Sequence, residues 1–110
     1  MAFVLKKLNK LPVVVKGALP GEDGKLVNFE FTLNCKRLTQ GEIDAVMKDK
    51  KGEVKGFVQK VAEGWDGMLD ADGNAVPFTG EKLDDLLDNA GLPLLIMHTY
   101  LEQVSATAKN

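Results

Sequence analysis

The stretch LVNFEFTLNC, Leu26 to Cys35, alternates cleanly between apolar and polar side chains. Val27, Phe29, Phe31, Leu33 and Cys35 fall on one side and Asn28, Glu30, Thr32 and Asn34 on the other, the period of two that marks a half-buried β-strand. Upstream, PVVVKGAL, Pro12 to Leu19, is short and β-branched. Between the two lies PGEDGK, Pro20 to Lys25, where Gly21 and Gly24 accept backbone angles that other residues resist. The pattern predicts an antiparallel hairpin. A hairpin by itself is marginal in water, so its apolar face must be covered by segments further along the chain. Phe3 to Leu8 is expected to supply a third strand.

The remainder reads as helical. Thr39-Gln40-Gly41-Glu42 fits a capping box, in which the threonine hydroxyl accepts from a first-turn N–H and the glutamate carboxylate reaches back. Ile43, Val46 and Met47 form the apolar stripe of the helix it opens, and Lys50, Lys51 and Gly52 interrupt that helix before Glu53. A second helix is expected from Glu53 to Glu63, with Val54, Phe57, Val58 and Val61 at helical spacing and Trp65 at its end. Thr79 caps a third, whose Glu81, Asp84 and Asp85 suit the positive end of the helix dipole and whose Leu83, Leu86 and Leu87 face inward. Gly91 and Pro93 stop and restart the chain before a last helix over Leu94 to Ala106. The fold class is therefore α+β: an N-terminal antiparallel hairpin or small sheet packed against about four C-terminal helices. One domain over 1–110 is expected, β-rich over 1–36 and helical over 39–107, with a turn segment at 64–79.

Composition excludes several classes. The 45% hydrophobic and 27% charged fractions are globular. Lysines follow the short apolar run at the start, the reverse of a secretory signal, and no run of apolar residues is long enough to cross a bilayer. A soluble, cytoplasmic protein is expected. Cys35 is the sole cysteine, so no internal disulfide forms. Charge is uneven: residues 1–60 hold 12 Lys and Arg against 7 Asp and Glu, and residues 61–110 hold 2 against 9. Such halves either neutralise one another within one fold, or favour head-to-tail contact between copies or a charged partner.

Residues 64–79, GWDGMLDADGNAVPFT, pose the main functional question. With Gly73 at the sixth position of a calcium loop, the first position is Met68 and the twelfth Thr79, so both anchor ligands are missing. Asp70, Asp72 and Gly73 are more simply turn residues. Trp65 and Phe78 would bracket that turn and pack on the sheet, with Pro77 fixing the chain before the Thr79 cap; an exposed Trp65 would instead be an interface anchor. His98 is the only histidine and cannot build a zinc site with one thiol. The strand pattern makes Cys35 a small core side chain rather than a nucleophile. GEDGK lacks phosphate-loop spacing. The lysines of KDKKGEVK are interleaved with Asp49 and Glu53 and have no aromatic stacking platform beside them, so no nucleic acid partner is expected. The residues call for no catalytic set, metal or cofactor. On the last helix Leu94, Leu95, Ile96, Met97, Tyr100, Leu101 and Val104 spread round more than one face, so one stripe closes the core and another is free for a partner.

The order of these features resembles the small tail assembly chaperones of long-tailed bacteriophages and prophages. The matching parts are the hairpin, the helix opened by LTQGEID, the segment VAEGWDGMLDADGNAVPFTGEKLDDLLD, and a final helix that contains a tyrosine. The likeness is closest from Leu38 onward and looser over the hairpin. It implies a non-enzymatic protein of the host cytoplasm that binds the tape measure protein, keeps it in solution and helps recruit tail tube protein, with self-association among its contacts and no membrane or nucleic acid. Ile96, Met97, Tyr100 and Val104 are the candidate binding residues, and the 64–79 segment is structural. The family's −1 frameshifting fits Ala108-Lys109-Asn110, which can be encoded by a slippery A AAA AAC. A small host α+β regulatory domain that binds protein or nucleic acid, or a minor structural tail protein, are the competing readings.

Overall fold

The computed structural model describes residues 2–48 and 54–106. The expected helix interruption at Lys50 to Gly52 and the Ala108-Lys109-Asn110 end lie outside them. The fold is α+β, as the patterning predicts. Strands β1 (Lys10–Pro20) and β2 (Leu26–Lys36) form the antiparallel hairpin, and β3 (Ala62–Asp66) pairs antiparallel with the far side of β2 to give the order β1-β2-β3. The helices are α1 (Gln40–Lys48), α2 (Val54–Val61), α3 (Gly80–Leu87) and α4 (Leu92–Val104).

The alternation read from the sequence sets the sheet's two faces. The cross-strand pairs Leu11 with Cys35, Val13 with Leu33, and Val15 with Phe31 point inward and are buried. The opposite face carries Lys10, Lys16, Glu30 and Lys36, with Lys16 and Glu30 directly paired at 3.5 Å. Both of those groups are largely exposed, so the pair adds little stability.

The third strand is not where the sequence placed it. Residues 2–9 have no regular structure, and Ala62–Asp66 takes the position. Two features explain the difference. One flank of β2 is occupied by β3. Along the outer edge of β1, the Gln103 side chain of α4 both accepts from the Val14 N–H at 3.1 Å and donates to the Val14 carbonyl at 2.9 Å. The outward-facing groups of an antiparallel strand recur at every second residue, so Pro12 and Pro20 share this edge and have no N–H to offer it. The edge is closed to a further strand at three points. α2 accordingly ends at Val61 rather than Glu63. Ala62 to Asp66 then run extended beside β2, with a register shift at Asn34 and Cys35 and a side-chain bond from Asn34 Nδ2 to Asp66 Oδ2 of 3.2 Å.

Both threonine caps form. The Thr39 N–H donates to Glu42 Oε1 at 3.0 Å and the Glu42 N–H to Thr39 Oγ1 at 3.3 Å, a reciprocal capping box that holds the Glu42 carboxyl below the usual range. Thr79 Oγ1 accepts from the Lys82 N–H at 3.0 Å at the start of α3. α4 begins two residues earlier than the pattern suggests, at Leu92. Gly91 caps it in the left-handed region, and Pro93 falls in its first turn, where its missing N–H has no intrahelical partner to lose.

Leu92, Ile96, Tyr100 and Val104, each four residues from the last, make the buried stripe of α4. It packs between β1 and α2, with Phe57, Val58 and Val61 of α2 and Leu83 and Leu87 of α3 completing one core cluster. Tyr100 is fully buried and stands edge-on to Phe57, ring centroids 5.3 Å apart. Its hydroxyl donates to the Lys36 carbonyl at 2.7 Å and accepts from the Leu38 N–H at 2.9 Å. One side chain thus pairs two backbone groups at the point where β2 ends and the chain leaves for α1. Tyr100→Phe should keep the fold and lower its unfolding free energy by about 1–3 kcal/mol, because the Leu38 N–H is left buried without an acceptor; urea denaturation measures this.

Candidate functional site

The structure corrects the binding face read from the last helix. Ile96, Tyr100 and Val104 belong to the buried stripe of α4, and Met97 is half-buried against the same core. Helical spacing shows that these residues share a face. It does not show that the face looks onto the sheet. Of the apolar α4 residues, Leu94 is the one left well exposed.

The uncovered apolar surface lies at the other end of the hairpin. Eleven residues of β1 span about 36 Å. The thirteen residues of α4, the longest helix among the described residues, span about 20 Å. Helices therefore cannot cover the whole inward face. Beyond the Val15 and Phe31 pair that face continues through Gly17 with Phe29 and Leu19 with Val27. Phe29 and Leu19 are half-buried and Val27 is 58% exposed.

These residues floor an open groove of about 310 Å³. Phe31 forms its inner end, Met68 contributes from the segment after β3, and Leu86, Asn89 and Leu92 line it from the α3–α4 junction. Gly17 shapes the floor by its lack of a side chain. A Cβ there would lie 2.7 Å from Phe29 Cζ and 2.9 Å from Leu95 Cδ2, so glycine lets both settle across the sheet. Phe29 and Phe31 then lie stacked, 6.0 Å between centroids. Asn89 has the only polar side chain in the lining, and its amide already donates to the Leu86 carbonyl at 2.9 Å. The lining contains no ionisable group, so the groove suits apolar side chains rather than a charged ligand or a proton-transfer reaction.

The 64–79 segment is the wall that carries Met68. Asp70 Oδ1 accepts from the N–H groups of Asp72 and Asn74 at 2.9 and 3.0 Å, and the Asp70 carbonyl accepts from the Gly73 N–H at 3.0 Å. Gly73 takes φ +83°, a turn angle that glycine adopts without strain. Val76 N–H to Met68 carbonyl, 2.9 Å, closes this small hairpin. Trp65, half-buried on β3, clasps it: the indole Nε1–H donates to the Val76 carbonyl at 2.8 Å, and Phe78 meets the ring edge-on at 4.9 Å. Pro77 lies exposed between that clasp and the Thr79 cap. Asp70 turns Oδ1 to backbone donors and Asp66 Oδ2 accepts from the Asn34 amide, and among the described residues no group of three or more His, Cys, Asp or Glu is placed to hold a metal ion.

Cys35 is buried on the sheet's inward face, its thiol donating to the Leu33 carbonyl at 3.5 Å. Burial, with a smaller push from the Glu63 carboxylate, raises the thiol to about 12. Burial likewise raises the Tyr100 phenol, although the Leu38 N–H partly offsets it.

The hairpin's length carried a signal for this groove, since five inward cross-strand pairs exceed what one short helix can roof. Met68 and Leu86 had no such signal, because their approach to the hairpin tip comes from tertiary packing. No family model matches the chain, and no curated protein or solved structure matches it. No helix among the described residues is long and apolar enough to cross a membrane.

Trp65→Ala should destabilise the domain by about 2–3 kcal/mol in urea, below the ~3–5 of a fully buried ring, through loss of the indole bond and the packing on Phe78. Cys35 should resist thiol reagents at pH 8 until the protein unfolds. Its folded pKa is raised above the ordinary 9.0, so its contribution to stability is complete below that value and falls as pH rises toward 12. Comparison of wild type with Cys35→Ala across that range isolates this contribution.

Proposed function

We propose that this domain is a non-enzymatic tail assembly chaperone of a long-tailed phage or prophage, which acts in the host cytoplasm, binds the tape measure protein and helps bring tail tube subunits to it. The observation that supports this reading is the open apolar groove at the hairpin tip, walled by the same 64–79 segment on which the family resemblance is strongest. A long apolar helix synthesised before its tube exists needs temporary cover. A shallow groove with no ionisable lining suits the apolar stripe of such a helix, much as other groove proteins take residues spaced three and four apart. Each contact is small, and weak contacts repeated by many copies along one partner give avidity that still permits release when the tube replaces them.

Co-expression tests the proposal. A neighbouring gene should encode a tape measure protein, which should precipitate alone and stay in solution with the wild-type domain. Val27→Asp puts a charge on the groove floor and should weaken the complex on the order of tenfold or more. Because Val27 is 58% exposed, that variant should unfold at the same urea concentration as wild type. A tape measure protein that forms no complex with the wild-type domain would overturn the function, and full solubilisation by folded Val27→Asp would remove the groove from it.

A further inference from the structure

The groove at the hairpin tip offers a single polar side chain to whatever enters it, and that side chain is held in place. Asn89 Nδ2 donates to the Leu86 carbonyl at 2.9 Å. The backbone is pinned on either side, by the Asn89 N–H to the same carbonyl at 3.3 Å and by the Leu92 N–H to the Asn89 carbonyl at 3.1 Å. With the nitrogen engaged, Oδ1 is the free end of the amide, and among the described residues no donor is bonded to it. An occupant without a donor strips water from this oxygen and returns nothing, whereas one with a donor finds an acceptor already oriented. Size and charge narrow the occupant further. A dry cavity of about 150 Å³ takes one benzene ring. The groove of about 310 Å³ therefore takes two fused rings. Its lining has no ionisable group, so a lysine, arginine or carboxylate anchor would lose water without meeting a counter-charge. Phe29 and Phe31 provide an aromatic floor, their ring planes 24° from parallel, and the Met68 thioether is a favourable neighbour for a further ring.

We infer that the groove seats a tryptophan side chain of its partner, with the rings on Phe29, Phe31 and Met68 and the indole N–H donating to Asn89 Oδ1. Tyrosine has a donor but one ring, phenylalanine has no donor, and the aliphatic side chains have neither ring nor donor. Tryptophan meets the size, the neutrality and the hydrogen bond together. Asn89 is then the residue that distinguishes one side chain of an apolar helical stripe from the rest, and so fixes the register in which the stripe lies on the sheet. The inference rests on the groove being the surface that takes the partner, as proposed above.

Free indole and benzofuran are the probes. Both have two fused rings, and benzofuran carries an oxygen where indole has its N–H. Titration of the labelled chain with each, followed by NMR at the Met68 methyl, gives two affinities for wild type and two for Asn89→Ala. Asn89 is exposed and lies outside the left-handed region, so alanine should leave the fold intact, as the rest of the spectrum will show. The preference for indole over benzofuran should fall about three- to tenfold from wild type to Asn89→Ala, the worth of one hydrogen bond. Because this compares one ratio with another, the difference in hydrophobicity between the probes cancels. Val27→Asp should abolish the Met68 shifts with both probes. Indole that leaves the Met68 methyl unmoved in wild type, a preference unchanged by Asn89→Ala, or shifts that survive Val27→Asp would each overturn the inference. No tape measure protein enters this experiment. A domain that shows the indole preference and fails to hold the tape measure protein in solution loses the chaperone reading and keeps the site, and one that holds it without the preference loses only the tryptophan.

Discussion

A β-hairpin of eleven-residue strands roofed by a helix about 20 Å long cannot be covered from end to end, and this mismatch organises the molecule. At the end where the strands meet the helical layer, the inward pairs are buried and the core is continuous. At the turn end the same face, with the same alternation, opens to water as a groove. The core and the candidate site are two lengths of one surface.

The covered end is fixed by α4. Its buried stripe closes the core, Tyr100 ties the exit of β2 through two backbone bonds, and Gln103 satisfies the outer edge of β1 at Val14. Arg37 Nη2 reaches the Val104 carbonyl at 3.5 Å, a cation at the negative end of the helix. Between α2 and α3, Lys55 pairs with Asp88 at 3.3 Å and the Gln59 amide donates to Asp84. Packing and polar contacts thus converge on one end of the sheet, while the turn end has only Gly17, Phe29 and the Met68 wall to shape it. A surface built this way suits apolar side chains, with Asn89 the one polar side chain in its lining.

The segment that first suggests a calcium loop has a mechanical role. Asp70 organises the backbone of its own turn, Gly73 supplies the left-handed angle, and Trp65 clamps the returning strand through the Val76 carbonyl. The result is a rigid wall that sets Met68 beside the hairpin tip and delivers the chain to the Thr79 cap of α3. Its acidic and aromatic residues serve the geometry of the groove, and none of its side chains except Met68 lines it.

Features set by neighbours along the chain were legible in the amino-acid sequence: the alternation of Leu26 to Cys35, the capping box at Thr39, the Thr79 cap, and the Asp70 to Gly73 turn. Each rests on interactions within a few residues, where spacing and residue type suffice. Three features were decided only in the folded molecule. Ala62 to Asp66 is a strand because β2, some thirty residues earlier, offers a free edge there, and local helical spacing cannot register that edge. Phe3 to Leu8 resembles a strand but finds the outer edge of β1 closed at Val14 by a glutamine 89 residues away. Periodicity grouped Ile96, Tyr100 and Val104 on one face of a helix; which face meets the sheet depends on where the sheet lies, and that is a property of the packed structure alone.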